Sequence, residues 1–190
     1  VDVRLIYDGF GCLTTLPYHY ERFLREKGIQ CQVFNPFRPL LNIVQNNRDH
    51  RKICVIDGKT GFTGGINLAD EYINQKRRFG HWKDTAVILK GEAVWNMTVM
   101  FLHMWNVINN SSEPIDHEIH MPHRFHQEPF AGNGFVQPYS DTPLDGEIVG
   151  ENVYLNIINR ARKYVYICTP YLIIDNEMMT ALCLAAKSGV

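Results

Sequence analysis

A chain of 190 residues with 45% hydrophobic content is a globular piece with one sizeable core, in one or two domains. Its formal charge of −1 argues against a dedicated nucleic-acid binder, and five cysteines, odd in number and without a CxxC, favour buried reduced thiols over a disulfide frame. No stretch reads as a signal peptide or a membrane span: the most apolar one, Ala93 to Ile108, is broken by Asn96, His103 and Asn106 and is short for a bilayer.

In chain order, Val1 to Tyr7 alternates as a strand. Leu16 to Lys27 reads as an amphipathic helix with Leu16, Tyr20, Phe23 and Leu24 on one side, stopped by Gly28. Ile29 to Phe34 is a second strand, and Asn35 to Asn47, with Pro36 and Pro39, is a loop. Next comes the run His50-Arg51-Lys52-Ile53-Cys54-Val55-Ile56-Asp57, whose apolar middle suits a buried strand. Asp57-Gly58-Lys59 is a tight turn that permits two registers. With Gly58-Lys59 as the loop, Lys52 faces Gly65 and His50 faces Asn67; with Asp57-Gly58, His50 faces Gly65. A short helix is expected after Asn67, a strand over Thr85 to Leu89, and a long buried helix from Glu92, with Trp95, Met97, Met100, Phe101, Met104 and Trp105 as packing residues. Asn109 to Gly150 scatters Pro, Gly, Ser and His as a linker or lid. Val153, Ile157, Ile158 and Ala161 mark another helix, Tyr164 to Thr169 an apolar strand, and Glu177 to Lys187 a last helix. The alternation indicates the α/β class, a sheet flanked by helices, and the central hairpin makes that sheet mixed.

Alternate strand residues share a face, so His50 and Lys52 project together, roughly 7 Å apart. With Asp57, Gly64-Gly65 and Asn67 they assemble an imidazole, an ammonium, a carboxylate and a carboxamide around one strand, a set suited to attacking a phosphodiester. Gly64 and Gly65 would let a phosphate oxygen approach the backbone. From Arg48 to Lys90 nine Lys or Arg stand against five acids, which suits an anionic headgroup as well as an ordinary solvated face. His117, His120, His123 and His126 recur every third residue, but Pro122 and Pro129 break any helix that would align them as metal ligands, so a loop is preferred.

These residues fill H-x-K-(x)4-D-(x)6-G-(G/S)-x-N, and the chain resembles the phospholipase D superfamily at every defined position. Gly64 to Tyr72, His81-Trp82-Lys83-Asp84-Thr85 and Thr169-Pro170-Tyr171-Leu172-Ile173 look like bacterial cardiolipin synthases, a similarity that weakens from about Asn109 to Phe135. The resemblance implies phosphatidyl transfer, in which two phosphatidylglycerol molecules give cardiolipin and glycerol. It casts His50 as the nucleophile forming a phosphohistidine if this half carries the attacking imidazole, and as the acid for the leaving alcohol if the other half does, with Lys52 and Asn67 as holders of the non-bridging oxygens and Asp84 as the carboxylate orienting the imidazole. Gly64 and Gly65 would border the substrate, Asp57 would be a hydrogen-bond partner near the turn, and no metal or cofactor is implied.

Superfamily enzymes need two such motifs, and this chain carries one: His81-Trp82-Lys83 starts a second, but Ile88 stands where its Asp belongs. A fragment is therefore expected, with residues 1–108 as the first phospholipase D-like half, 109–150 as a linker or lid and 151–190 as the opening of the second half. Alone it would be inactive or very weak, and soluble. The parent would lie at a bacterial cell membrane, catalytic region on the cytoplasmic side. Its partners would be phosphatidylglycerol, the membrane surface and a second motif-bearing half, in the same protein or another chain, with no nucleic acid. Two alternatives stay open: a single-motif phosphodiesterase or nuclease active as a homodimer, and a non-catalytic module that binds lipid headgroups.

Overall fold

A computed structural model describes residues 1–37, 48–78, 80–111, 114–124, 132, 134–142, 146–169 and 171–190. The chain forms two compact units, Val1–Pro138 and Tyr139–Val190. Most of the expected loop up to Asn47 lies outside the described residues, as do His126, Pro129 and Pro170.

The first unit opens with β1 (Arg4–Asp8), which pairs in parallel with β2 (Gln30–Phe34), Arg4 opposite Gln30 and Asp8 opposite Phe34. Parallel strands need a crossover, and α1 (Tyr20–Glu26) supplies it. This helix starts one turn later than its apolar spacing suggests. Pro17 disfavours a helical residue before it, and His19 takes a left-handed φ of 59°, so winding begins at Tyr20. Its end follows the expectation: Gly28, at φ 84°, donates to the Arg25 carbonyl while Ile29 donates to that of Leu24, a Schellman cap.

The motif segment forms an antiparallel sheet of β3 (Ile53–Ile56), β4 (Thr60–Gly64) and β5 (Ala86–Lys90), with β4 in the centre. Parallel and antiparallel pairing thus both occur, divided between two sheets. Asp57 and Gly58 hold φ of 52° and 61°, and Lys59 N–H donates to the Ile56 carbonyl at 3.0 Å, as in a primed turn. Yet Ile56 pairs with Thr60, so the register falls between the two expected ones. Lys59 is an extra residue, and its carbonyl accepts instead from Gly91 N–H at 3.0 Å.

Helix α2 (Val94–Asn109) covers one face of this sheet and also meets β2. Val94, Met97, Leu102 and Trp105 are buried with Cys31 of β2, each large side chain contributing about 1.5–3 kcal/mol. The opposite face exposes Cys54, Ile56, Phe62 and Ile88. The expectation of buried thiols is therefore corrected: Cys31 is buried, whereas Cys54, Cys168 and Cys183 are exposed.

After Asn67 the chain makes successive turns rather than a helix. The Asp70 carbonyl accepts from both Gln75 and Lys76, and Asn74 takes φ 60°, which stops any regular winding. In the second unit α3 (Val149–Arg160) packs on α4 (Asn176–Lys187), with Ile158 and Ala181 buried. The Asp175 side chain caps α4 by accepting from Met178 N–H at 2.8 Å. Residues 164–169 form no strand, because among the described residues of that unit no other strand offers them a ladder. No helix of the described residues is long and apolar enough to cross a membrane.

Candidate active site

His50 lies in the irregular stretch just before β3, so its position depends on side-chain anchors rather than on a ladder. The chief anchor is Asp8, at the carboxyl end of β1. Its carboxylate accepts from Gly11 N–H at 2.7 Å and Asp49 N–H at 3.1 Å, and from the Arg48 guanidinium at 2.9 to 3.1 Å. Burial would raise the Asp8 carboxyl, but these donors outweigh it and hold it below its ordinary pKa. Asp49 in turn grips Arg51, accepting from its Nε at 2.9 Å and its Nη2 at 2.8 Å. Residues 48, 49 and 51 thus fix the backbone on both sides of His50.

The His50 imidazole is at the surface and makes no hydrogen bond to a described residue. Loss of water on its protein-facing side and the Lys52 ammonium hold it below its ordinary pKa, against the opposing Asp8 and Asp49 carboxylates. It is therefore poised neutral at pH 7, with the lone pair a nucleophile needs. Lys52 donates from Nζ to the His50 carbonyl at 2.6 Å. Partial burial lowers the Lys52 pKa, opposed by the fields of Asp49 and Asp84.

Asp84 comes from the segment leading into β5. Its carboxylate accepts from Trp82 Nε1 at 3.0 Å and from Thr85 N–H at 2.7 Å. It lies so close to Gly65 that an added Cβ there would stand 2.6 Å from its Oδ1. At Gly64 a Cβ would stand 2.6 Å from the Thr85 carbonyl oxygen. The two glycines therefore make room for the β5 side of the site itself. Asn67 donates from Nδ2 to the Tyr72 hydroxyl at 2.6 Å, and the Tyr72 and Trp82 rings meet edge to face, centroids 5.0 Å apart. Asn74 binds the Trp82 backbone at both ends, at 2.7 and 2.9 Å.

Of the sequence-derived residues, Lys52 meets the His50 carbonyl and feels the Asp84 carboxylate, Asn67 reaches Asp84 only through Tyr72 and Trp82, and Gly64 and Gly65 lie against the Thr85 carbonyl and the Asp84 carboxylate. Asp84 makes no hydrogen bond to His50; its oxygens serve Trp82 and Thr85. Asp57 stands apart at the hairpin turn, the whole of β3 between it and Lys52. Asp8, Arg48, Asp49, Tyr72 and Trp82 escaped the sequence reading as site-builders. Asp8 had one signal, since sites of open α/β sheets gather beyond the carboxyl ends of strands. His117 packs against His103 and Trp95, and no group of three metal-binding side chains occurs among the described residues.

The α/β unit that carries the H-x-K-(x)4-D segment is of the phospholipase D-like class. The family described as Cardiolipin synthase, PLD-like domain, matches residues 1–105, and the chain belongs to it. A Streptococcus mutans protein called "Uncharacterized protein" is 54% identical over all 190 residues, which cover 40% of it. Proteins called cardiolipin synthase from Listeria innocua and Alkalihalophilus pseudofirmus are 35% and 36% identical over the full chain, which covers 39% and 37% of them. The chain thus spans about two fifths of the length of these relatives. No solved structure matches it.

Proposed function

We propose that this chain is the nucleophile-bearing half of a phosphatidyltransferase that makes cardiolipin from two phosphatidylglycerol molecules. The observation that carries the reading is the complete H-x-K-(x)4-D motif with Lys52 Nζ on the His50 carbonyl, on a segment locked by Asp8. A ring nitrogen of His50 bonds to phosphorus, the phosphorus–oxygen bond to the glycerol headgroup breaks, and glycerol leaves with a proton from a second imidazole. A hydroxyl of the second phosphatidylglycerol then attacks the phosphohistidine, giving that proton back and releasing His50. Lys52 swings from the His50 carbonyl onto a non-bridging oxygen, and the Asn67 amide supports the other. Asp84 keeps the Gly65 backbone and Trp82 in place and offsets charge at Lys52. In this reading residues 1–108 are the first half, 109–150 a linker or lid, and 151–190 the opening of a second half that supplies the acid, in the same protein or another chain.

The test is covalent trapping. Phosphatidylglycerol carrying radioactive phosphorus should leave an acid-labile, base-stable label on the chain, absent from His50→Ala. Label that persists in His50→Ala, or none when a second-motif half is added, would refute the assignment.

A further inference from the structure

Between β4 and β5 the chain carries a feature that transfer chemistry does not use. Leu68 is 99% exposed and Ile73 60% exposed, in the same loop as Lys76, Arg77 and Arg78. A single exposed apolar residue means little. Here, however, the two side chains belong to a loop tied by hydrogen bonds. Turn hydrogen bonds from Tyr72 to Ala69 and from Gln75 to Asp70, with the two-ended clamp of Asn74 on Trp82, hold the loop open. The three cations border a cavity of about 490 Å³ with Thr15 and Glu71. Lys76 pairs with Asp70 at 3.3 Å and Arg78 with Glu71 at 3.7 Å, yet their side chains remain 73% and 67% exposed. Such pairs are weak, and the Lys76 ammonium has other donors besides the one on Asp70. Arg77 has no ion pair among the described residues.

Apolar tips beside clustered cations are the combination that seats a protein at an anionic lipid surface. We propose that the loop from Leu68 to Arg78 is a membrane-interface element, with Leu68 and Ile73 entering the headgroup–acyl boundary and Lys76, Arg77 and Arg78 on lipid phosphates. This rests on the phosphatidyltransferase reading for its purpose but not for its geometry. Leu68 adjoins Asn67, and Tyr72 holds the Asn67 amide, so the loop would bring the site against the bilayer from which phosphatidylglycerol is drawn.

The experiment is flotation of the full 190-residue chain with vesicles of phosphatidylcholine alone or mixed with phosphatidylglycerol. Binding is expected to the mixed vesicles only, and to fall with added salt. Each neutralised cation should weaken it about fivefold, so Lys76→Gln/Arg77→Gln/Arg78→Gln should lose on the order of a hundredfold. Leu68→Ser/Ile73→Ser should lose binding as well, and the emission of an added indole in Leu68→Trp should move to shorter wavelength on vesicles. These side chains are exposed, and near-ultraviolet circular dichroism would show that each variant keeps the fold. Unchanged partition of either multiple variant overturns the proposal. So does inorganic phosphate abolishing vesicle binding at an ionic strength where chloride leaves it intact, which would mark a site for the free anion. Vesicles carrying phosphatidylserine in place of phosphatidylglycerol should bind the chain equally well even were the transfer chemistry wrong; binding confined to phosphatidylglycerol would place lipid recognition at the nucleophile and overturn the loop assignment.

Discussion

At His50 loss of water comes first in lowering the imidazole pKa, the Lys52 and Arg48 cations add to it, and the Asp8 and Asp49 carboxylates oppose it. Lys52→Gln takes a positive charge from beside the imidazole and should raise its titration midpoint, followed by the NMR signals of the ring protons. Asp49→Asn should lower it. The sign carries over to stability. The folded imidazole accepts its proton less readily than an unfolded one, so this group weighs against the fold as pH falls through the ordinary value of 6.5, and the ring becomes charged below its own lower midpoint. Gly65 makes a separate prediction. Its substitution by alanine sets a methyl 2.6 Å from Asp84 Oδ1, so the carboxylate must move and its bond to Trp82 Nε1 must stretch. A loss of about 1–3 kcal/mol in urea unfolding is expected, with a change in tryptophan emission.

At the level of elements, what the sequence made legible is what local chemistry decides. Gly28 closes α1 with a Schellman cap, and the apolar period of α2 marks its buried face. What stayed hidden was decided elsewhere in the chain. The hairpin register turned on Lys59, whose carbonyl is claimed by Gly91, a residue of the far strand's end that no reading of Asp57-Gly58-Lys59 could weigh. Residues 164–169 have the composition of a strand, but a strand exists only with a neighbour. For the site, the motif residues were readable because their spacing is local, while Asp8 was not, since it acts across 40 residues of sequence on Arg48. Asp8→Asn should release that clamp. It removes a charge that accepts from two backbone N–H groups and a guanidinium, and a loss of about 2 kcal/mol is expected in thermal or urea unfolding at neutral pH. Because the Asp8 carboxyl is held below 3.8, its stabilisation is present above that pH and disappears as pH falls through the lower folded value; the variant and parent stabilities should converge there.

At the scale of the whole molecule, the sequence holds eight histidines, and His50 alone opens a complete H-x-K-(x)4-D. A phosphohistidine can form only as fast as the leaving glycerol oxygen is protonated, and water must do this where a second imidazole is not at hand. Positioned acid catalysis contributes roughly 10²–10⁴-fold. Cardiolipin formation by the chain alone should therefore be slower by about that factor than with a second motif-bearing half supplied in trans. The sheet face bearing Ile56, Phe62 and Ile88, at 50%, 37% and 54% exposure, gives the experiment a structural control. If it receives the added half, Phe62→Asp should abolish the rescue while sparing the label at His50. Chromatography of the lipid products decides the kinetic point: rapid turnover by the chain alone, abolished by His50→Ala, would mean that a second copy of the chain supplies the acid through its own His50, and the homodimeric phosphodiesterase would become the better reading.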